Sequence, residues 1–316
     1  MGIKHIDELI FEPEKLRVVI DGIVGKKFPT YLKWDGNPSF VTGVDENGFF
    51  LAFKNGYHRK EKKLFRTEAQ LKQEIIDQNL RHKMVLLFLS FSNFYEKTKE
   101  SRTLGGDLIF TCFDDLYATP NTIRYTLNVD AWDTWDKLVG VAIHTVDGHI
   151  SDFVSDYPNI EWIPTRPDIE YACLSDFSIL DVPNSSKSEQ TKFFKWVNTN
   201  LREFQKLKNY DNLCMYNRSF SNQSHYRNVI DFLEELWGWK QYLLDSLNVR
   251  YFDVIPYYNQ KHEGLVIDTP YGLYKIVDRR MFSSLNFINH KKTLRNEAWN
   301  RLTTPLKKIA NELLNI

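Results

Sequence analysis

Phe28-Pro29-Thr30-Tyr31-Leu32-Lys33-Trp34-Asp35-Gly36 is an apolar run that ends on a lysine and drops at once into a turn. Such a run reads as a strand, and Asp-Gly suits the change of direction after it. The next stretch, Pro38 to Lys54, holds two β-rich runs, Phe40–Val44 and Phe49–Phe53, joined by Asp45-Glu46-Asn47-Gly48. Asn-Gly accepts left-handed backbone, so this spacing predicts a hairpin directly after the lysine. Upstream, apolar residues recur at helical intervals from Glu12 to Ile23, with Pro13 suited to a first turn. One helix therefore leads into the first strand.

Working outward, Thr67–Asn79 opens on Thr67 with Gln70 three residues later, the capping-box spacing, and Arg81–Lys99 carries a denser apolar face. Both predict helices. Strand-like runs return at Asp107–Phe113, Ile123–Leu127 and Leu138–His144. This half reads as α+β with a largely antiparallel sheet. Two long amphipathic patterns, Glu189–Lys206 and Tyr226–Leu247, flank a stretch rich in Asn, Ser and Gln. They predict a helical insertion over residues 181–249, packed on a sheet-bearing domain of residues 1–180 and 250–316. In that last part, strands are expected at Phe252–Pro256, Gly264–Asp268 and Leu273–Val277, and a helix at Leu294–Leu314. Thr269-Pro270-Tyr271-Gly272 makes a tight turn between the last two strands.

Composition narrows the function classes. A 316-residue chain that is 42% apolar buries a core without disulfide or metal staples. Lys plus Arg and Asp plus Glu are equal at 41 each, so no whole-molecule field holds a long nucleic acid, and such contacts would need local patches. Cys112, Cys173 and Cys214 are widely spaced with no zinc-site pairing, which fits a reducing cytoplasm, a host's if the chain is viral. The richest apolar run, Met84–Leu89, is far too short to cross a bilayer, so no membrane partner is expected. Oligomeric state is not legible.

Lys33-Trp34-Asp35-Gly36 resembles the Lys-x-Asp-Gly motif of the covalent nucleotidyltransferases, the ATP-dependent DNA and RNA ligases and messenger-RNA capping enzymes. Glu263-Gly264-Leu265-Val266 is similar to their later Glu-Gly-x-Val motif, Leu273-Tyr274-Lys275-Ile276 to their final lysine-bearing strand, and Gly105-Gly106-Asp107 to an acidic motif between them, in the same order. Lys-Trp-Asp-Gly followed by Pro and His-Thr also resembles a set of tailed-phage proteins. The resemblance implies a ligase-like nucleotidyltransferase fold: ATP-grasp-like antiparallel sheets with flanking helices. Only residues 276–316 follow Lys275, so no C-terminal oligonucleotide-binding barrel is expected.

By the same resemblance, Lys33 attacks the α-phosphate of ATP and carries AMP as a phosphoramidate, which needs an uncharged amine. Glu263 is implied as a Mg²⁺ ligand, with Asp35 orienting Lys33 or supporting the metal, and Gly36 completing the turn. Lys275 neutralises charge building on the α-phosphate, Asp107 meets a ribose hydroxyl, Lys54 holds ribose or phosphate, and Ile143 or His144 stands where a base-stacking ring is expected. Two positions depart from the pattern: Pro38 replaces an arginine after the motif glycine, and Val277 replaces a second lysine. Basic runs at Lys54–Arg66 and Arg279–Arg295 suit an RNA or DNA end as acceptor. The leading expectation is AMP transfer to a polynucleotide 5′-phosphate. Its alternatives are a non-catalytic nucleotide-binding or phage assembly protein on the same fold, and AMP transfer to a protein or small molecule. Taken singly, each residue also has a plain surface or core role.

Overall fold

In a computed structural model of the chain, the residues described are 3–112, 114, 117–118, 120–121, 123, 125–126, 137–166, 186–195, 224–246 and 263–277. The chain forms two compact units, Met1–Val182 with Asp231–Val277, and Pro183–Ile230 with Asp278–Ile316. The first unit is mixed α+β with open, mostly antiparallel sheets.

Along the chain come β1 (Lys4–His5), a 3-10 helix (Ile6–Phe11), α1 (Pro13–Val24), β2 (Thr30–Lys33), β3 (Ser39–Asp45) and β4 (Gly48–Phe53). Then follow α2 (Lys54–Tyr57), α3 (Glu68–Glu74), α4 (Gln78–Thr98), β5 (Leu104–Thr111), β6 (Tyr117–Ala118), β7 (Tyr125–Thr126), β8 (Val139–Val146), β9 (His149–Phe153) and β10 (Ile160–Trp162). Residues 187–195 are helical (α5), followed by α6 (Ser224–Ser246), β11 (Gly264–Thr269) and β12 (Gly272–Val277).

Local chemistry sets these elements. Pro13 opens α1, whose Leu16, Val19, Ile20 and Ile23 fall on one buried face. Thr67 and Gln70 close a reciprocal capping box on α3, and the Asp77 carboxylate accepts from Leu80 N at 2.7 Å to start α4. The hairpin β3–β4 forms as expected, but its turn residues are Glu46 and Asn47, since Asp45 pairs with Gly48. Asp45 explains the difference: its carboxylate accepts from Asn47 N and holds Arg66, leaving left-handed backbone to Gly48 alone, at φ +95°. β5 starts three residues before the predicted Asp107. Gly105 and Gly106 can enter the sheet because they lack a Cβ, which would fall 2.2 Å from Thr145 Oγ1 and 2.6 Å from Ala142 O.

Two sheets carry the first unit. One has the order β1-β12-β11-β2, with β1 parallel to β12 and the remaining pairs antiparallel. The other runs β10-β8-β5-β3-β4, with β9 also on β8 and β10 parallel to it. Its core side packs on α4 through rings: Phe40 meets Phe91, and Phe91 and Phe94 both meet Trp162. Each buried ring of this kind contributes roughly 1.5–3 kcal/mol over its exposed state. Near the N-terminus, Lys240 of α6 and Asp7 form a fully buried ion pair at 2.8 Å and 3.1 Å.

In the second unit, Ser186 and Glu189 cap α5 reciprocally, and Phe193 is fully buried. The break between units falls within α6, at residues 230 and 231, where the sequence reading put the edge of the insertion at residue 249. The strand expected at 252–256 and the helix at 294–314 lie outside the described residues. Among the described residues no helix is long and apolar enough to cross a membrane.

Candidate functional site

Lys33 is the last residue of β2, directly opposite Gly264 of β11, and Glu263 N donates to Lys33 O at 3.2 Å. This register makes the two side chains neighbours, and Lys33 Nζ forms an ion pair with Glu263 Oε2. Both are partly solvent-accessible, 27% and 20% exposed. Gly264 is required here: its φ is +149°, and a Cβ would sit 2.0 Å from Ile276 O. Burial pushes the Glu263 carboxyl above its ordinary range; Lys33 opposes that shift, and the negative charges of Asp35 and Asp107 add to it.

From Lys33 the chain crosses to the other sheet within three residues. Gly36 lies so close to β5 that a Cβ would meet Asp107 Cβ at 2.5 Å and Leu108 O at 2.7 Å. Asn37 N then donates to Leu108 O at 2.9 Å, and Leu108 N to Pro38 O at 3.1 Å, across a cis Asn37–Pro38 peptide. This close landing puts Asp107 beside the motif glycine. Asp107 Oδ1 is buried and has no hydrogen-bond partner among the described residues. An orphaned acceptor of this kind calls for a donor.

His144 arrives by a bulge. Gly105 pairs with Thr145 and Gly106 with Ile143, so β8 carries one extra residue, His144, outside the ladder. Burial holds its imidazole pKa below the ordinary value, and the positive charges of Lys54 and Lys33 act the same way against the pull of Asp107. Lys54, which opens α2 directly after β4, is exposed. His144 thus feels the charges of Asp107, Lys54 and Lys33, and Glu263 those of Lys33, Asp35 and Asp107.

Asp35 serves another neighbour. Its buried carboxylate accepts from Asn121 Nδ2 at 2.7 Å through Oδ1 and from Ile123 N at 2.7 Å through Oδ2. Its backbone N–H donates to the buried Tyr125 hydroxyl at 2.9 Å, and Trp34 packs edge-on against that ring. Where the sequence suggested an orienting or metal-supporting carboxylate, both oxygens are engaged in anchoring the 121–125 segment. Lys275 is located by register: Tyr31, Val266 and Lys275 are direct partners across β2, β11 and β12, next to the row Lys33, Gly264, Val277. Lys275 and Lys33 therefore share a sheet face.

Among the described residues no group of three His, Cys, Asp or Glu side chains is arranged to hold a metal ion. Mg²⁺ needs only one or two carboxylates when phosphates and water complete its shell, and the partly exposed Glu263 carboxylate suits that smaller demand. Sequence reasoning missed Asn121 and Tyr125. No spacing signal could reveal them, because they reach Asp35 from 86 and 90 positions away.

A family model described as a family of unknown function (DUF6267) matches residues 12–218. No curated protein and no solved structure matches the chain. The matched span includes Lys33, Asp35, Lys54, Asp107 and His144, and stops short of Glu263 and Lys275.

Proposed function

The chain belongs to the DUF6267 family, and from its site we propose that it is an ATP-dependent nucleotidyltransferase of the ligase-like fold that carries AMP on Lys33. The observation that carries this reading is the Lys33–Glu263 ion pair beside the unpartnered buried oxygen of Asp107. Attack on phosphorus requires the free amine, and Glu263, held against Lys33 and made more basic by burial, is placed to receive the proton that must leave. The Lys33 Nζ–Pα bond then forms as the bond from Pα to the bridging oxygen breaks, and pyrophosphate leaves. In the second half, an acceptor phosphate oxygen attacks Pα, the P–N bond breaks, and Lys33 regains a proton. Lys275 faces the same side of the sheet and suits charge neutralisation at the α-phosphate. Asp107 has a free acceptor for a ribose hydroxyl, and His144 lies close enough to feel its charge. Mg²⁺ arriving with the triphosphate would supply further charge neutralisation, held through Glu263.

A polynucleotide 5′-phosphate is supported as acceptor by the β4–α2 region. Of its cations, Lys63 is paired with Glu74 and Arg66 with Asp45, while Lys62 lies over the Tyr57 ring at 4.3 Å. Lys54, Arg59 and Lys60 are exposed with no carboxylate partner among the described residues. The second basic run, Arg279–Arg295, lies outside them.

Incubation with α-labelled ATP and Mg²⁺ tests the reading. A protein-bound label that is acid-labile, alkali-stable and absent from Lys33→Ala is expected, and nicked RNA, nicked DNA and single-stranded RNA then sort the acceptor. Failure to label with any of the four nucleoside triphosphates removes the transfer chemistry. A second reading, nucleotide binding without turnover, is favoured by one observation, the commitment of both Asp35 oxygens to residues 121 and 123. Saturable ATP binding without label would select it.

A further inference from the structure

Residues 160–166 link the two sheets. β10 pairs with β8, Ile163 N donates to Val141 O at 2.8 Å, and the run then reaches β2, where Leu32 N donates to Thr165 O at 2.7 Å. Thr165 is fully buried and fixed by Asp152, whose Oδ1 accepts from Thr165 N at 2.7 Å and Oγ1 at 2.9 Å. Trp34 Nε1 adds a bond to Pro164 O at 3.2 Å. The next residue, Arg166, is exposed, and its guanidinium lies 5.4 Å from the centroid of the Tyr31 ring. It has no carboxylate partner among the described residues.

Tyr31 is two residues before Lys33 on the same strand face and in one cross-strand row with Lys275. Strand spacing of about 5 Å and a two-residue rise of about 7 Å put Arg166, Lys33 and Lys275 around one small area of sheet. There Lys33 is paired with Glu263, whereas the Arg166 guanidinium has only the Tyr31 ring among the described residues. An exposed cation–π contact is a weak tether, whereas a guanidinium matches two phosphoryl oxygens at once.

We propose that Arg166 leaves the Tyr31 ring to bind the β- and γ-phosphates of the nucleotide, and holds pyrophosphate as it departs. The anchored Thr165 gives it a fixed base, and the ring is its resting place. This assignment rests on the nucleotide-binding reading of the same site, and does not require transfer to occur.

Titration of the full chain with ATP, pyrophosphate and AMP, for wild type, Arg166→Ala and Arg166→Lys, is the test. Arg166→Ala is expected to weaken ATP and pyrophosphate about tenfold or more while leaving AMP nearly unchanged, with partial recovery in Arg166→Lys. Its thermal midpoint should match wild type, since the side chain is exposed. Equal weakening of ATP and AMP, unchanged ATP affinity, or a wild type that binds no ATP overturns the assignment. The labelling experiment separates the two ideas. Arg166-dependent ATP binding without lysyl-nucleotide keeps this site and removes transfer, whereas equal labelling of Arg166→Ala at subsaturating ATP keeps transfer and removes this site.

Discussion

Gly264 and His144 set the site through backbone and charge respectively. Gly264→Ala introduces a methyl group where Ile276 O already lies 2.0 Å away, at a φ of +149° that alanine avoids. We expect a loss of about 3 kcal/mol or more in denaturant unfolding and, under the proposed function, loss of nucleotide binding as well, because the approach of Glu263 to Lys33 depends on this residue. His144 predicts a pH effect. Its folded pKa lies below the ordinary 6.5, so the unfolded chain takes up the proton first. The contribution is fully present above 6.5 and is lost as pH falls through the folded value. Thermal midpoints measured downward from neutral pH should fall less steeply in His144→Gln than in wild type; parallel curves would refute the assignment. Both residues were visible in sequence, Gly264 within a motif and His144 as a substituted ring, but the bulge that presents His144 was not.

At the scale of elements, Tyr125→Phe in β7 removes only a hydroxyl, yet strands the buried Asp35 N–H that bonds to it at 2.9 Å. A loss of about 1–3 kcal/mol is expected by chemical denaturation, with slower lysyl-nucleotide formation if the turn after Lys33 loosens. A substitution within a few tenths of wild type would show that solvent replaces the bond. The elements themselves were legible wherever a pattern was local. Helices α1, α3 and α4 follow from Pro13, the Thr67–Gln70 box and apolar periodicity, and β11–β12 from two apolar runs around a Pro-Tyr-Gly turn. Strands β1 and β10, two and three residues long, carried no such signal, and β1 pairs with β12 from the far end of the chain, whereas β9 follows an Asp147-Gly148 turn whose local hairpin signal went unread. The engagement of Asp35 was hidden by distance, as the pairing of β1 was, since its carboxylate accepts from a distant amide and a distant backbone N–H, and its own N–H donates to a distant tyrosine.

Across the whole first unit, long-range polar contacts hold together what hydrophobic burial only brings near. Asp7→Asn leaves the Lys240 ammonium buried without its counter-ion, and a loss of roughly 3–5 kcal/mol is expected in equilibrium unfolding. A near-neutral result would mean the lysine reaches water. The run 160–166 makes a related demand. Leu32 and Ile163 amides, which it ties to different sheets, should exchange hydrogen with closely similar protection. Thr165 also covers the free margin of β2, the outermost strand of its sheet. Without Asp152 to hold that cover, unpaired amides and carbonyls on β2 would be open to a strand from another molecule. Asp152→Ala should therefore scatter light increasingly with protein concentration while wild type does not, making colloidal behaviour depend on the carboxylate that fixes Thr165.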